Sequence, residues 1–292
     1  MKAKYINPFT DFGFKKIFGE EASKPLLLDF LNSLLPENSQ IKDLTFQNSE
    51  NLGQTETDRK SLFDIFCEAE NGEKFIVELQ KAKQNYFKER TIYYSTFPIK
   101  QQAEKGEWNY NLKPVFCIGI LDFTFDDYET EPEKSEVVHT IKLKNKNGKT
   151  FYEKLTYIYL EMPNFNQAEN ELKTRLDKWL YFIKHLEDFQ SIPKIFKDEQ
   201  IFKNAFEKAE LAKYDHSEFE SYERSLKEYR DIKGYIDTAF EEGKLEGKLE
   251  GKLEGKLEGK LEIIKQGKKI GLSNSDLSKL TGLSEDEIDK IL

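Results

Sequence analysis

Asp64, Glu78 and Gln80 are the residues of this 292-residue chain whose types and spacing could do chemistry. Asp64 interrupts the apolar run Leu62-Phe63-Asp64-Ile65-Phe66-Cys67, and Glu78 and Gln80 close the run Phe75-Ile76-Val77-Glu78-Leu79-Gln80. Both runs read as strands, spanning 61–69 and 73–80. Residues two apart on a strand share a face, so Glu78 and Gln80 point the same way. Two carboxylates converging at a sheet edge offer hard oxygen ligands to Mg²⁺ or Mn²⁺. A cation so held activates water against a phosphodiester.

Whether the acids converge depends on the turn. Asn71-Gly72 between the runs signals a hairpin. With Asn71-Gly72 as a two-residue loop, Asp64 pairs with Leu79, and its carboxyl lies on the face opposite Glu78. With Glu70-Asn71-Gly72 as the loop and Gly72 left-handed in a bulge, Asp64 pairs with Glu78. A catalytic reading requires the bulged loop; the other reading is an ordinary hairpin with two solvated acids.

The pattern Asp64…Glu78-Leu79-Gln80 resembles the PD-(D/E)XK nuclease core, with glutamine where that core usually has lysine. Asn7-Pro-Phe-Thr-Asp-Phe-Gly-Phe-Lys-Lys-Ile-Phe18, Arg90-Thr-Ile-Tyr-Tyr94, Tyr159-Leu-Glu-Met-Pro-Asn-Phe165, Asp177-Lys-Trp-Leu-Tyr-Phe-Ile183 and a glycine-rich repeat near the C-terminus occur in the same order. They are similar to one branch of that superfamily, the recombination-promoting nucleases and transposases. The resemblance implies an α/β fold, a restriction-endonuclease-like mixed sheet flanked by helices, followed by a C-terminal helical extension. It also implies a Mg²⁺-dependent (or Mn²⁺-dependent) DNA endonuclease that promotes recombination or transposition. Asp64 and Glu78 would hold the metal with the Leu79 carbonyl, and Gln80 would orient water or a phosphate oxygen. Glutamine carries no charge, so it neither offsets phosphate as lysine would nor supplies a proton; the resembling family has glutamine here too. Many superfamily members add an acid from the first helix. Asp11 stands in the matching motif, and its other reading is a helix cap.

Composition sets bounds. Hydrophobic residues make up 38%, with 23 Phe and 14 Tyr, enough for a folded core. The longest apolar run, Val115–Leu121, is too short to span a bilayer, and the N-terminus has no signal-peptide pattern. Cys67 and Cys117 sit in strand-like runs, which suits buried thiols in a cytoplasmic protein. The three histidines are scattered, without zinc spacing. A net charge of −9 argues against general avidity for nucleic acid. Local basic stretches remain. Lys81, Lys83 and Arg90 follow the acids directly and are the candidate DNA contacts; Arg90 could alternatively pair with a core acid. Four lysines surround a turn at Asn147-Gly148 and read equally as a solvated face.

Helical spacing predicts a helix over 9–35 and others over 86–105, 166–190, 198–213 and 217–241, with further strands at 41–49, 115–123, a hairpin at 138–152 and a strand at 157–160. Asp122 ends the strand 115–123 as a loop acid or a site neighbour. The expected divisions are a nuclease core (1–165), helices packed on it (166–242), a repeat helix (243–262) and a tail (263–292).

From Gly243 to Glu262 the chain repeats Gly-Lys-Leu-Glu five times. On a helix, leucine forms one stripe, with lysine about 100° to one side and glutamate about 100° to the other. Lys then follows Lys at i+4, and Glu follows Glu, so a lone helix is weakened. A parallel two-fold pair would set the Lys flank of one chain against the Glu flank of the other, which predicts a homodimer. The stripe drifts about 40° per repeat and limits the contact; the other reading is a solvated spacer. In the tail, helices over 273–280 and 285–292 around a glycine turn outline a helix-turn-helix. Its second helix is acidic, which favours protein contact over DNA reading. Beside the endonuclease stand two alternatives: a non-enzymatic oligomerising protein on a degenerate nuclease fold, and a hydrolase acting on RNA.

Overall fold

Near-continuous burial along β-branched and aromatic runs builds a single mixed sheet in the computed structural model, which describes residues 3–47, 63–103, 109–126, 130 and 134–291. Its strands are β1 (Leu44–Phe46), β2 (Ile65–Ala69), β3 (Lys74–Gln80), β4 (Val115–Leu121), β5 (Val138–Lys144) and β6 (Thr150–Glu161). Their order is β1-β2-β3-β4-β6-β5; β3, β4 and β6 run parallel and the remaining neighbours antiparallel. The helices are α1 (Asp11–Phe14), α2 (Lys24–Leu34), α3 (Phe87–Gln101), α4 (Arg175–His185), α5 (Gln200–Ala209), α6 (His216–Lys269), α7 (Asn274–Thr281) and α8 (Glu285–Ile291). The expected mixed sheet with flanking helices and a C-terminal helical region is observed.

The sheet has two covered faces. Phe75, Val77, Leu79, Ile118, Ile120, Ile158 and Leu160 share a core with Phe18 and Phe30 from the N-terminal helices, Trp179 from α4 and Phe202 from α5. Burying such side chains contributes about 1.5–3 kcal/mol each, which drives this layer together. Asp29 holds two of its helices in place, accepting two bonds from Arg175 (2.7 and 2.8 Å) and one from Trp179 Nε1 (2.7 Å). On the other face Phe66, Ile76, Cys117, Tyr157 and Tyr159 pack under Phe87 and Phe97 of α3. Two tyrosine hydroxyls pin α3 there: Tyr159 meets Thr91 Oγ1 at 2.6 Å and Tyr157 meets Ser95 Oγ at 2.8 Å. Cys67 and Cys117 are buried and unpaired, one in each core.

Several elements depart from their expected bounds. The helix expected over 9–35 is broken: α1 passes into a π turn (Lys15–Gly19), Glu20 is extended, and α2 restarts at Lys24. Pro25 has no N–H to donate back across that break and suits a helix start instead. Thr10, not Asp11, is the cap, accepting from Gly13 N at 3.0 Å. The helix expected over 166–190 starts only at Arg175, where Thr174 and Asp177 form a capping box, so residues 166–174 precede it. The strand expected over 157–160 is the end of β6. The helix expected over 217–241 runs on through the repeat to Lys269. The outer parts of the strands expected over 41–49 and 61–69, and residues 104–105 of a helix, lie outside the described residues.

The chain divides into two compact units, Met1–Ile232 and Lys233–Leu292. Within the first, α6 closes on the N-terminal motif: Tyr222 Oη accepts from Asn7 N (2.9 Å) and Ser225 Oγ from Phe12 N (3.1 Å). In the second, Leu245, Leu249, Leu253 and Leu257 are exposed. Ile264, Leu277 and Ile288 make a small core of their own, so the tail joins the end of α6 to the two expected helices. A Cβ on Gly267 would come within 2.4 Å of Leu277 Cδ2, so alanine there would have to displace the Leu277 side chain.

Candidate active site

The hairpin takes the bulged form. Ala69 N donates to Glu73 O (2.8 Å), Gly72 N donates to Ala69 O (2.9 Å), and Gly72 has φ +87°. The loop is therefore Glu70-Asn71-Gly72 with glycine in the left-handed position, where a Cβ would be strained. Glu70 ties the tip down by accepting from Lys42 N (2.8 Å) and Asp43 N (3.1 Å). The ladder runs Glu68↔Lys74 to Ile65↔Val77. One residue further, Asp64 stands across from Glu78, on the face covered by α3. Asp64 Oδ2 accepts from Leu79 N at 2.7 Å, which fixes the aspartate against β3.

The two carboxyls share a poorly solvated place. Burial raises the pKa of Asp64, and the charge of Asp11 adds to that; the Leu79 N–H, Lys15 and Lys81 oppose it. Burial also raises Glu78, Asp64 raises it further, and Arg90 and Lys15 oppose the rise. Glu78 Oε1 is buried with no hydrogen-bond partner. A buried anionic oxygen without a partner is costly unless a cation or proton answers it. The cavity beneath Glu78, lined by Thr91, Tyr94, Cys117 and Tyr159, has a volume of about 10 Å³. That admits nothing larger than a water, so a polymer cannot approach from beneath.

The other candidates distribute unevenly. Gln80 is buried with both ends of its amide engaged: Nε2 donates to Ala82 O at 2.8 Å, and Oε1 accepts from Arg90. Arg90 bonds the Gln84 side chain as well and lies 5.3 Å from the Phe87 ring centroid. Arg90 thus finds two amides rather than the acid partner weighed above, while its charge still reaches Glu78. Lys83 is ion-paired with Asp126. Lys81 is half-buried, its charge acting on Asp64. Asp11 meets Lys15 at 3.1 Å and reaches Asp64 only as a charge. Asp122 adjoins the site through its backbone, donating to Gln80 O at 3.0 Å, while its carboxylate accepts from Tyr229 Oη at 2.8 Å. Among the described residues no group of three or more His, Cys, Asp or Glu is close enough to hold a metal. Asp64, Glu78 and backbone oxygen are thus the donors available to a hard cation, with the orphaned Oε1 fitting that use.

Sequence reading missed Lys15. It lies in the N-terminal motif, at the start of the π turn, and its charge acts on both acids from there.

A family model described as PD-(D/E)XK nuclease family transposase matches residues 8–239. No curated protein matches the chain, and neither does any solved structure.

Proposed function

The chain belongs to the PD-(D/E)XK nuclease family transposases, and from that premise we propose a Mg²⁺-dependent DNA endonuclease, also served by Mn²⁺, that promotes recombination or transposition. Family membership carries the coarser statement, a nuclease-like or transposase function acting on DNA. The observation that carries the finer one is the facing pair Asp64 and Glu78, with Oε1 of Glu78 buried and unanswered.

Asp64 and Glu78 would bind the cation with the Leu79 carbonyl. The Leu79 N–H aims Asp64 at it, and Gln80 holds Arg90 where its charge eases the ionisation of Glu78. When bound, the metal supplies an activated water and a charge for the phosphate. With its amide engaged, Gln80 would orient water or phosphate only after releasing Arg90 or Ala82. Lys81, Lys83 and Arg90 would line the backbone path, and Asp11 would tune Asp64 from a distance. The test is plasmid nicking in Mg²⁺ with an EDTA control. Asp64→Ala and Glu78→Ala should each lose activity on the order of 10³-fold while circular dichroism stays native. Cutting at wild-type rate by both sinks the assignment, and parallel RNA substrates decide the substrate class.

The exposed leucines at 245, 249, 253 and 257 favour self-association through a parallel repeat helix. This holds for the endonuclease and equally for a non-enzymatic oligomer on a degenerate nuclease fold. Sedimentation should give a dimer that Leu249→Lys with Leu253→Lys converts to monomer; a monomeric wild type removes the pairing. The two buried free cysteines suit the cytoplasm, and no helix among the described residues is long and apolar enough to cross a membrane.

A further inference from the structure

Gln80 stands two residues from Glu78, about 6.6 Å along β3 and on the same face. A lysine there would aim a positive charge at a phosphate held beside Asp64 and Glu78. Glutamine brings hydrogen bonds and no charge. The fold nevertheless delivers a cation to that spot. Arg90, in the first turn of α3, donates from Nη2 to Gln80 Oε1. Its guanidinium therefore sits at the end of the Gln80 side chain, close to where a longer lysine would carry its own charge. The same stretch of α3 covers Glu78. The guanidinium lies 5.8 Å from the Tyr94 ring centroid, and Tyr94 lines the small cavity beneath Glu78. Arg90, Gln80 and Glu78 are thus neighbours on the one face of the sheet that α3 covers.

How Arg90 is held matters as much as where. Nη1 donates to Gln84 Oε1, and the Phe87 ring centroid lies 5.3 Å away. Both hydrogen-bond partners are neutral amides. Lys15 meets Asp11 and Lys83 meets Asp126, each against a carboxylate that opposes its charge. The two amides fix the guanidinium and leave its charge whole. They also leave donors. Arginine has five N–H groups. Two are taken by the amides, Nε is buried without a partner, and each terminal nitrogen keeps one N–H for a further acceptor. Gln84 is exposed, so the guanidinium spans from buried Gln80 to the solvent side, where a phosphate arrives.

We propose that Arg90 contacts the scissile phosphate at the Asp64–Glu78 site and supplies, from α3, the positive charge that Gln80 lacks, with Gln80 and Gln84 as the residues that position it. The proposal rests on the endonuclease reading above and narrows the role of Arg90 from the backbone path to the phosphate that reacts. In the reaction, water oxygen bonds to phosphorus, the P–O bond to the leaving sugar oxygen breaks, and the water proton passes to solvent. The leaving oxygen takes a proton from solvent. Arg90 exchanges none and donates its remaining N–H groups to the phosphate oxygens.

The test uses the full chain with Arg90→Ala, Gln84→Glu and Arg90→Ala combined with Gln80→Lys. Single-turnover cleavage in Mg²⁺, with the protein in saturating excess, should fall on the order of 10²-fold in Arg90→Ala. Adding Gln80→Lys should recover at least about tenfold of that loss. Gln84→Glu separates charge from scaffold. A carboxylate there grips the guanidinium harder, so the melting temperature should hold or rise while cleavage falls about tenfold. An arginine that only braces α3 would leave cleavage unchanged. Binding of a short duplex in Ca²⁺ is read separately, and the slope of log affinity against log salt should shrink by about one in Arg90→Ala. Wild-type cleavage by Arg90→Ala or by Gln84→Glu overturns the proposal, as does a loss that Gln80→Lys fails to repair. If Arg90→Ala does not fold, Gln84→Glu decides. A wild type that binds duplex without cutting removes the endonuclease reading, and the salt slope then decides Arg90 alone; an unchanged slope overturns it. A wild type that neither binds nor cuts removes both.

Discussion

The β2–β3 and β5–β6 hairpins are built on the same turn and differ in nearly everything else. Each closes a three-residue loop ending in Asn-Gly. Gly72 has φ +87° and Gly148 φ +78°; Gly72 N donates to Ala69 O and Gly148 N to Asn145 O, both at 2.9 Å. From there they diverge. The first is tied at its tip by Glu70, paired in unbroken register and covered by α3. The second has a free tip, slips register near Leu143 and leaves Phe151 exposed. Local turn chemistry thus fixes which residues face each other. Only tertiary cover turns that facing into a low-solvent site where two carboxylates disturb one another.

Removing one loop residue breaks the comparison most severely. Deleting Asn71 would force an even loop and move Asp64 to the far face, since a one-residue slip flips every side chain. Nicking should disappear and the melt should drop by several degrees. Deleting Asn147 should leave nicking within about twofold, because that strand end carries no site and little burial. If both deletions act alike, register is not what builds the site.

A smaller contrast is in pH. Glu78 has its pKa raised by burial and by Asp64. A carboxyl whose folded pKa exceeds its unfolded value binds more protons in the native state between the two. Metal-free protein should therefore lose stability as pH rises from the ordinary value of 4.5 through the raised one, and level off above it. Glu78→Gln should escape that loss, so its melting temperature relative to wild type should climb over the same window. Millimolar Mg²⁺ should close the gap at high pH. A gap independent of pH contradicts the shared burial of the acids.

The glycines give the finest comparison. Alanine at either left-handed position costs about 1–2 kcal/mol. Gly72→Ala adds close contact with the Lys113 side chain, whereas a Cβ at Gly148 meets nothing within 4 Å. The first should lower both the melting temperature and nicking, and the second the melting temperature alone. Equal effects on nicking would mean that the active hairpin tolerates its tip moving.

The hairpin was legible from Asn71-Gly72, but its register was not, because the two-residue and the three-residue loop both take a left-handed glycine; the ladder from Glu68↔Lys74 to Ile65↔Val77 decides between them. The sheet was legible from short apolar runs such as Val115–Leu121 bounded by turn residues. What stayed hidden depended on distant partners. Nothing near Arg90 in sequence says that it will choose Gln80 and Gln84 over an acid. The break at Glu20 came from Pro25 and core packing overriding a good helical period. The cap at Thr10 lay one residue from Asp11, a choice that spacing does not resolve. Nothing near Ile264 in sequence says that Leu277 and Ile288 will close over it.

Cys67 and Cys117 lie under opposite faces of the sheet, and burial pushes both thiols up to about 12. A thiol so placed does not react with alkylating reagents while its layer is shut. The chain therefore carries two clocks of its own unfolding. Peptide-resolved alkylation of Cys67 times the opening of the N-terminal helical layer, and alkylation of Cys117 times the lifting of α3. Any ligand that clamps α3 over the acids should slow the second clock and leave the first running.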